Sequence, residues 1–162
     1  MINDEIKDKI EKYFKVAEIH HKRMNFALSQ INKYLPFDND SYFKLSEIEI
    51  SFIDQFLYRF TKLQDLIGQK IFKLILIIED EFDEGHSMRD ILDKMERFKV
   101  ISSVDDWQNL REIRNEITHE YPLLESESIA ALNFLFLKFP ELFQILSNSM
   151  AIISKRIDIF VK

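Results

Sequence analysis

Apolar residues recur with helical spacing along most of this chain. Between Asn3 and Tyr34 they return at alternating three- and four-residue steps, which places them on one face of an α-helix. A second series of this kind runs from about Glu47 to Phe82. The pattern therefore predicts long first and second helices, with buried faces formed by Ile6, Ile10, Tyr13, Ala17, His20, Met24, Ala27 and Ile31 in the first and by Phe52, Phe56, Phe60, Leu63, Ile67, Ile71, Leu74 and Ile78 in the second.

Between these helices the periodic pattern is interrupted. The segment from Tyr34 to Ser46 contains Pro36 and a run of polar residues, so we expect a loop there. Ser46 and Glu49 have the spacing of a capping box, which predicts the start of the second helix. Gly85 is expected to end that helix, because glycine is common just beyond a helix C-terminus.

The second half of the chain predicts further helices. Ser87 is suited to cap a third helix that continues to Phe98, and a fourth runs from about Val104 towards Pro122. Pro140 is expected to split the remaining apolar sequence, since proline disrupts a helix interior. The last apolar series suits packing along a bundle or across a dimer, and packing within the core is the preferred interpretation; its members are Phe143, Leu146, Met150, Ile153, Ile157 and Phe160.

Composition supports an all-α fold. Only two glycines and three prolines occur among 162 residues, which leaves few residues for the many turns of a β-fold. We find no internal repeat and no linker rich in glycine, proline or serine. The chain is therefore predicted to form a single domain, residues 1–162, with the architecture of an antiparallel helical bundle that carries additional C-terminal helices.

Charge and cysteine content restrict the function. The formal net charge of -6 argues against indiscriminate binding to DNA or RNA, so any RNA site has to be local. The absence of cysteine excludes disulfides and thiolate metal sites. The N-terminus lacks the apolar core of a secretory signal, and the uncharged stretch from Leu142 to Ser154 is too short to span a membrane. We expect a cytoplasmic protein with no membrane partner.

The segment from Asp106 to Pro122 concentrates polar and ionisable residues at the end of a predicted helix. In an ideal helix Arg114 and His119 lie about 7.5 Å apart along the axis and about 140° apart around it. Pro122 is incompatible with a continuing helix, so we expect the helix to end or distort near His119. A broken last turn would bring Arg114, His119 and Tyr121 towards a common concavity. The apolar stripe of this helix consists of Trp107, Leu110, Ile113 and Ile117.

This arrangement resembles a known family. Arg114, His119 and Tyr121 match the R-x4-H-x-Y signature of HEPN toxins of the HepT type, and a polar residue such as Asn115 commonly follows the arginine in that family. The resemblance extends to the long helices before the motif and to the segment 54–65, so it covers most of the chain. The C-terminal part matches less clearly.

The resemblance implies a metal-independent endoribonuclease whose RNA targets include tRNA and mRNA as candidates. Arg114 would hold the phosphate and His119 would transfer protons, because imidazole titrates near neutral pH. Asn115 would orient the substrate or the arginine. Two such sites would face each other across a homodimer, and no metal or cofactor is expected in this chain.

The resemblance also implies a regulatory partner. In type VII-like toxin–antitoxin systems a minimal nucleotidyltransferase antitoxin transfers AMP from ATP onto the tyrosine that Tyr121 matches. The added bulk and negative charge would compete with an RNA phosphate for Arg114 and His119. ATP would be used by this partner, since the chain itself contains no P-loop or dinucleotide fingerprint.

Other interpretations of these residues stay open. Arg114 alone suits a surface ion pair, His119 a helix-terminal side chain, and Tyr121 packing against Ile117. The chain as a whole would then be a non-catalytic HEPN module that binds a nucleotidyltransferase, or a dimerisation bundle without any site.

The remaining polar residues are weaker candidates. His20 is expected to be a satisfied core or interface histidine, and His21 is expected to face solvent. The acidic run 79–86 fails the spacing of a calcium loop and is interpreted as a solvated corner. One further group either lines the cleft opposite the motif or forms an exposed helix face; it contains Arg59, Lys62, Gln64 and Asp65.

Overall fold

The computed structural model describes residues 2–120 and 126–157, without the side chains of residues 120, 126 and 127. All regular secondary structure in these residues is helical, which confirms the predicted all-α class. A 3₁₀ turn, Asn32–Tyr34, follows the first helix, and a π-helical turn, Ile67–Ile71, joins the third helix to the fourth. The helices are α1 (Asp4–Ile31), α2 (Asn39–Phe43), α3 (Glu47–Leu66), α4 (Phe72–Ile78), α5 (Met88–Arg97), α6 (Val104–Glu120) and α7 (Ser126–Arg156).

The bundle is organised around an antiparallel pair formed by α1 and α3. Near one end of this pair the ring of Phe26 meets the ring of Phe52, with centroids 5.8 Å apart. Towards the other end the Lys70 Nζ lies 5.3 Å from the ring centroid of Tyr13 on α1. Residue numbers thus fall along α1 as they rise along α3 and beyond, which is the direction reversal expected of an antiparallel bundle.

The two predicted apolar stripes form the core. Their members are buried or half-buried throughout, and burying each large apolar side chain contributes roughly 1.5 to 3 kcal/mol to folding. The predicted helix starts are also confirmed. The Ser46 hydroxyl accepts a hydrogen bond from the Glu49 backbone N–H at 3.2 Å, the Glu49 carboxylate accepts one from the Ser46 N–H at 3.0 Å, and Ser87 caps α5.

The segment predicted as a loop between α1 and α3 contains the short helix α2. Its polar run does not oppose helix formation here, because Asp38 serves as the N-cap and accepts a hydrogen bond from the Ser41 N–H at 2.7 Å. The backbone just before α2 is fixed by Asn133 of α7, whose side chain hydrogen-bonds both the N–H and the carbonyl of Phe37 at 2.8 Å.

The second long helix ends earlier than predicted, at Ile78 rather than Phe82. Asp80 adopts a left-handed conformation with φ of 58°, a role that we had expected glycine to fill at position 85. The Glu81 N–H then bonds back to the Leu76 carbonyl at 2.8 Å, and the Asp80 N–H to the carbonyl of Ile77 at 3.2 Å. This is a Schellman ending, which satisfies carbonyls that the terminated helix would otherwise leave unpaired.

The prediction that Pro140 splits the last apolar segment is wrong. α7 continues through it from Ser126 to Arg156. A proline inside a helix costs roughly 3 kcal/mol. Burial of Phe136, Phe139 and Leu142 on the adjacent turns offsets this cost, since each contributes a comparable amount and Pro140 itself faces solvent.

Because α7 is continuous, it contains a longer apolar stretch than Leu142 to Ser154. Among the described residues, Ser128–Arg156 is long and apolar enough to cross a membrane by length and composition alone. In its most apolar window 44% of the residues are buried against the rest of the bundle. The helix packs against α2, α3, α4 and α6, which is the pattern of a core helix. Leu146, Ile153 and Ile157 of the last predicted stripe are buried in this way, and Phe160 lies outside the described residues.

Candidate functional site

Helix α6 carries the arginine and the histidine of the sequence motif. Its predicted apolar stripe is confirmed, because Trp107, Leu110 and Ile117 are buried and Ile113 is half-buried. Arg114 belongs to the same buried side of the helix, and only 7% of its side chain is exposed. A charged side chain is rarely buried without a partner, so the contacts of Arg114 define the site.

The partner of Arg114 is Asp65 on α3. Its Oδ1 accepts a hydrogen bond from the Arg114 Nη1 at 3.1 Å, and 41% of the Asp65 side chain remains exposed. Three residues further along the chain, Gly68 lies against Trp107. Residue numbers therefore rise along α3 and the turn that follows it while the numbers of their contacts fall along α6, so α3 and α6 are antiparallel.

A π-helical turn lies directly beside this ion pair. It spans Ile67–Ile71, and a Cβ on Gly68 would approach the Trp107 ring to 3.1 Å. The missing side chain at Gly68 therefore makes room for the indole, which packs on Phe72 with ring centroids 5.0 Å apart. Single π-helical turns are rare and frequently occur at functional sites.

The interior next to the ion pair contains polar atoms without partners. Gln64 is 1% exposed, and within the described residues neither its amide oxygen nor its amide nitrogen has a hydrogen-bond partner. The Arg114 Nε is buried and unpartnered in the same way. Both residues line a cavity of about 40 Å³, together with Asp65, Gly68, Gln69, Met88, Trp107 and Arg111. Unpaired buried polar atoms are costly, which marks this cavity as a candidate site.

His119 lies on the exposed side of α6. Arg111, Asn115 and His119 are all exposed and are spaced four residues apart, so they share one face of the helix. This polar face begins at the cavity, which Arg111 lines, and reaches the end of the helix.

α6 is helical up to Glu120, the last residue that the structure describes before the gap, so the expected break near His119 is not seen in the described residues. The Thr118 hydroxyl donates a hydrogen bond to the Arg114 carbonyl at 2.8 Å. Arg114 and His119 therefore keep the offset of an ideal helix, one side chain buried and the other exposed. The expected convergence within one chain is not seen, and Tyr121 lies outside the described residues.

His20 is a satisfied histidine, as predicted. The Arg59 Nη1 donates a hydrogen bond to His20 Nδ1 at 3.2 Å, so that nitrogen has to be the unprotonated one. Burial lowers the pKa of His20, and the nearby charges of Arg59 and Lys62 lower it further. His20 is thus held neutral by its surroundings.

His21 does not face solvent, and that prediction is wrong. It is half-buried against α7, where its ring stacks on Phe143 with centroids 3.3 Å apart. Burial lowers the pKa of His21, and the neighbouring Glu18 opposes this effect. The contact lies beside a groove of about 630 Å³ between α1 and α7, which Phe14, Leu146 and Met150 also line.

The acidic run 79–86 is held by ion pairs. Glu81 accepts hydrogen bonds from Lys94, at 2.7 Å, and from Arg97, and these partners lower its pKa. Glu79 pairs with Arg156 at 3.2 Å. In residues 2–120 and 126–157 there is no group of three or more histidine or acidic side chains placed to hold a metal ion.

Of the four polar residues expected either to line the cleft opposite the motif or to form an exposed helix face, two line the cavity, one is exposed, and one follows neither interpretation. Gln64 and Asp65 face the motif helix, whereas Arg59 contacts α1 and Lys62 is exposed. The position of Gln64 had a detectable signal, because it lies four residues after Phe60 in the buried series. The pairing of Asp65 with the arginine has no local signal, since the two are 49 residues apart.

Comparisons with known proteins return no match: no protein-family model, no curated protein and no solved structure is similar to this chain.

Proposed function

We propose that this protein is a metal-independent endoribonuclease, the toxin of a type VII-like toxin–antitoxin pair. The observation that supports this most directly is the state of Arg114. The arginine of the motif is buried and fixed by Asp65 beside a π-helical turn, and an exposed histidine lies five residues further along the same helix. Cleavage of a phosphodiester requires a positioned guanidinium that binds the phosphate and an accessible imidazole that transfers protons.

In this mechanism the RNA supplies its own nucleophile, the 2′-hydroxyl next to the scissile phosphate. The oxygen of that hydroxyl attacks the phosphorus as its proton leaves, and the bond to the 5′-oxygen of the next nucleotide breaks as that oxygen gains a proton. His119 would perform one of these proton transfers, for which its exposure gives it access to a bound strand. No electron donor or acceptor is needed.

Arg114 would stabilise the negative charge that develops on the phosphate. A guanidinium has five N–H donors, and Asp65 accepts a hydrogen bond from one of them, at Nη1. Asp65 thus fixes the orientation of the fork while other donors remain for phosphate oxygens. Asn115, exposed and next to Arg114 in α6, would orient the strand.

The offset between Arg114 and His119 favours a site assembled from two copies of the chain. In a homodimer, His119 of one copy and Arg114 of the other would act on the same phosphate, and the cleft would gather the positive charge of both motifs. RNA and a second copy of the chain would then be partners of this protein, in the cytoplasm.

Regulation would come from a nucleotidyltransferase antitoxin. Its active site would transfer AMP from ATP to the Tyr121 phenol oxygen, with pyrophosphate as the leaving group. The new phosphate would then compete with RNA for the donors of Arg114 and for His119.

The decisive experiment measures cleavage of total RNA in EDTA. Because His119 is exposed, His119→Ala should leave the folding stability within about 0.5 kcal/mol of the wild type while abolishing cleavage. Arg114→Lys keeps the charge but loses the fork, so cleavage should fall by at least 10-fold in a folded protein. The matched control is Arg89→Ala on α5, an exposed residue that pairs with Asp93. Undiminished cleavage by His119→Ala would reject the proposed site.

One observation favours a second candidate, a non-catalytic module that binds a nucleotidyltransferase. The charge of Arg114 is already paired with Asp65, and 7% exposure limits access to a phosphate. This alternative predicts a stable complex with the nucleotidyltransferase, no RNA cleavage by the wild type, and the same complex with His119→Ala.

A further inference from the structure

Tyr58 on α3 has an exposed aromatic ring with two cationic side chains close to it. Tyr58 is 56% exposed, the Lys62 Nζ lies 5.7 Å from its ring centroid, and the Arg59 Cζ lies 5.4 Å away. We call these three residues the Tyr58 surface. Large aromatic rings are usually buried, and an exposed ring flanked by cations suits a ligand that combines flat rings with negative charge.

The Tyr58 surface lies on the same face of α3 as the partner of Arg114. Tyr58, Lys62 and Asp65 are spaced by four and then three residues, within a stretch of α3 that is regular α-helix. The distance from Tyr58 to Asp65 along the axis is therefore about 10 Å. A ligand that contacts Arg114 can extend along this face and meet Lys62 and then Tyr58.

The same surface is level with His119. α6 runs antiparallel to α3, and Arg114 contacts Asp65. Moving five residues from Arg114 to His119 covers about 7.5 Å, which corresponds to moving back along α3 from Asp65 to about Phe60. His119 and the Tyr58 surface therefore lie at the same end of the α3–α6 pair, and both are exposed. His119 of the same chain points about 140° away from Arg114, which faces α3, so in the proposed dimer the His119 that acts beside this surface belongs to the second copy.

From this placement we propose that the Tyr58 surface is a docking site for single-stranded RNA beside the point of cleavage. A base stacks on the Tyr58 ring, and the exposed Lys62 contacts a phosphate that flanks it. Duplex RNA is a poor fit, because its bases are already stacked and are not available to the ring. The inference rests on the proposed function and specifies its substrate class. It also explains how a chain of net charge -6 holds RNA locally.

The test is a binding measurement on protein that cannot cleave. His119→Ala protein is titrated into a labelled single-stranded oligoribonucleotide of mixed sequence, and fluorescence anisotropy gives Kd at several salt concentrations. Adding Tyr58→Ala should weaken binding about 5- to 100-fold without changing the salt dependence. Adding Lys62→Ala should lower the slope of log K against log salt by about 0.7, the value for one phosphate contact on a single strand. Tyr58→Phe, which keeps the ring, should bind like the parent.

The matched controls are Phe43→Ala and Lys44→Ala, at positions elsewhere on the molecule. Phe43→Ala removes a ring that is 71% exposed, and Lys44→Ala removes an exposed lysine. Both should bind RNA like the parent. Unchanged affinity in Tyr58→Ala overturns the docking site, as does equal affinity for a blunt RNA duplex. These outcomes are separate from the proposed function, which fails if the wild type does not cleave RNA even when binding depends on Tyr58.

Discussion

The Arg114 guanidinium donates a hydrogen bond to Asp65 across two antiparallel helices, over 3.1 Å and 49 residues of sequence. Arg114 is almost fully buried, whereas Asp65 is 41% exposed on its side chain. The carboxylate thus connects a buried cation to the surface. We expect the stability of the fold to depend on this contact, and the proposed binding of a phosphate by Arg114 would depend on it too.

Asp65→Ala should destabilise the fold by about 1 to 3 kcal/mol, because it leaves a buried guanidinium without its counter-charge. The partial exposure of Asp65 places the loss towards the lower end of this range. Asp65→Asn keeps an acceptor oxygen and should cost less. Urea unfolding measures both effects.

A double-mutant cycle identifies the cause. If the loss comes from the unpaired guanidinium, Asp65→Ala should cost at least 0.5 kcal/mol less in an Arg114→Met background, where no buried charge remains. Equal costs in the two backgrounds would show that the ion pair does not stabilise this structure.

Gln64→Leu should raise stability by about 1 to 2 kcal/mol while lowering the rate of RNA cleavage. The buried amide has no partner in the described residues, so an apolar side chain of similar size removes a desolvation cost. The amide lines the cavity that Arg114 also lines, which is the reason to expect a loss of activity. Thermal unfolding and the EDTA cleavage assay report the two effects. Gln30→Leu, at an exposed position on α1, is the control and should gain no stability.

A structural feature of this protein could be predicted from the sequence when the residues that form it are close together along the chain. Helical stripes and the Ser46 capping box depend on residues three or four apart, and both are confirmed. The Asp80 helix ending was missed because aspartate adopts a left-handed conformation only in a suitable context. The partner of Arg114 lies on another helix, and the burial of His21 depends on Phe143 of α7. Such contacts follow from the packing of the bundle and leave no local pattern.

The continuity of α7 gives a direct test of why Pro140 was mispredicted. Pro140→Ala should stabilise the protein by about 1 to 3 kcal/mol, because it restores a helical hydrogen bond and removes the clash with the Phe136 carbonyl. No packing is lost, since Pro140 is exposed. The gain is reduced by the extra freedom of alanine in the unfolded chain. The midpoint of thermal unfolding should rise, and Ser147→Ala, an exposed change in the same helix, should move it little. A lower midpoint for Pro140→Ala would mean that the proline bend itself is required for packing.

His20 makes the stability of the fold sensitive to acid. Its folded pKa lies below the usual value of 6.5 for histidine, first because of burial and then because of the charges of Arg59 and Lys62. The unfolded chain therefore takes up the proton more readily, so stability is full above about pH 6.5 and declines as the pH falls towards the lower folded pKa. Protonation also removes the acceptor that Nδ1 offers to Arg59.

Urea unfolding at pH 7.5 and pH 5.5 should show this loss in the wild type and a smaller loss in His20→Gln, whose amide oxygen still accepts from Arg59 but does not titrate. His21, whose pKa burial also lowers, contributes in the same direction, so the double variant His20→Gln, His21→Gln should lose the least. Because the carboxylates with lowered pKa values titrate well below pH 5.5, they add little in this window. An undiminished loss in the double variant would show that neither histidine is the acid-sensitive group.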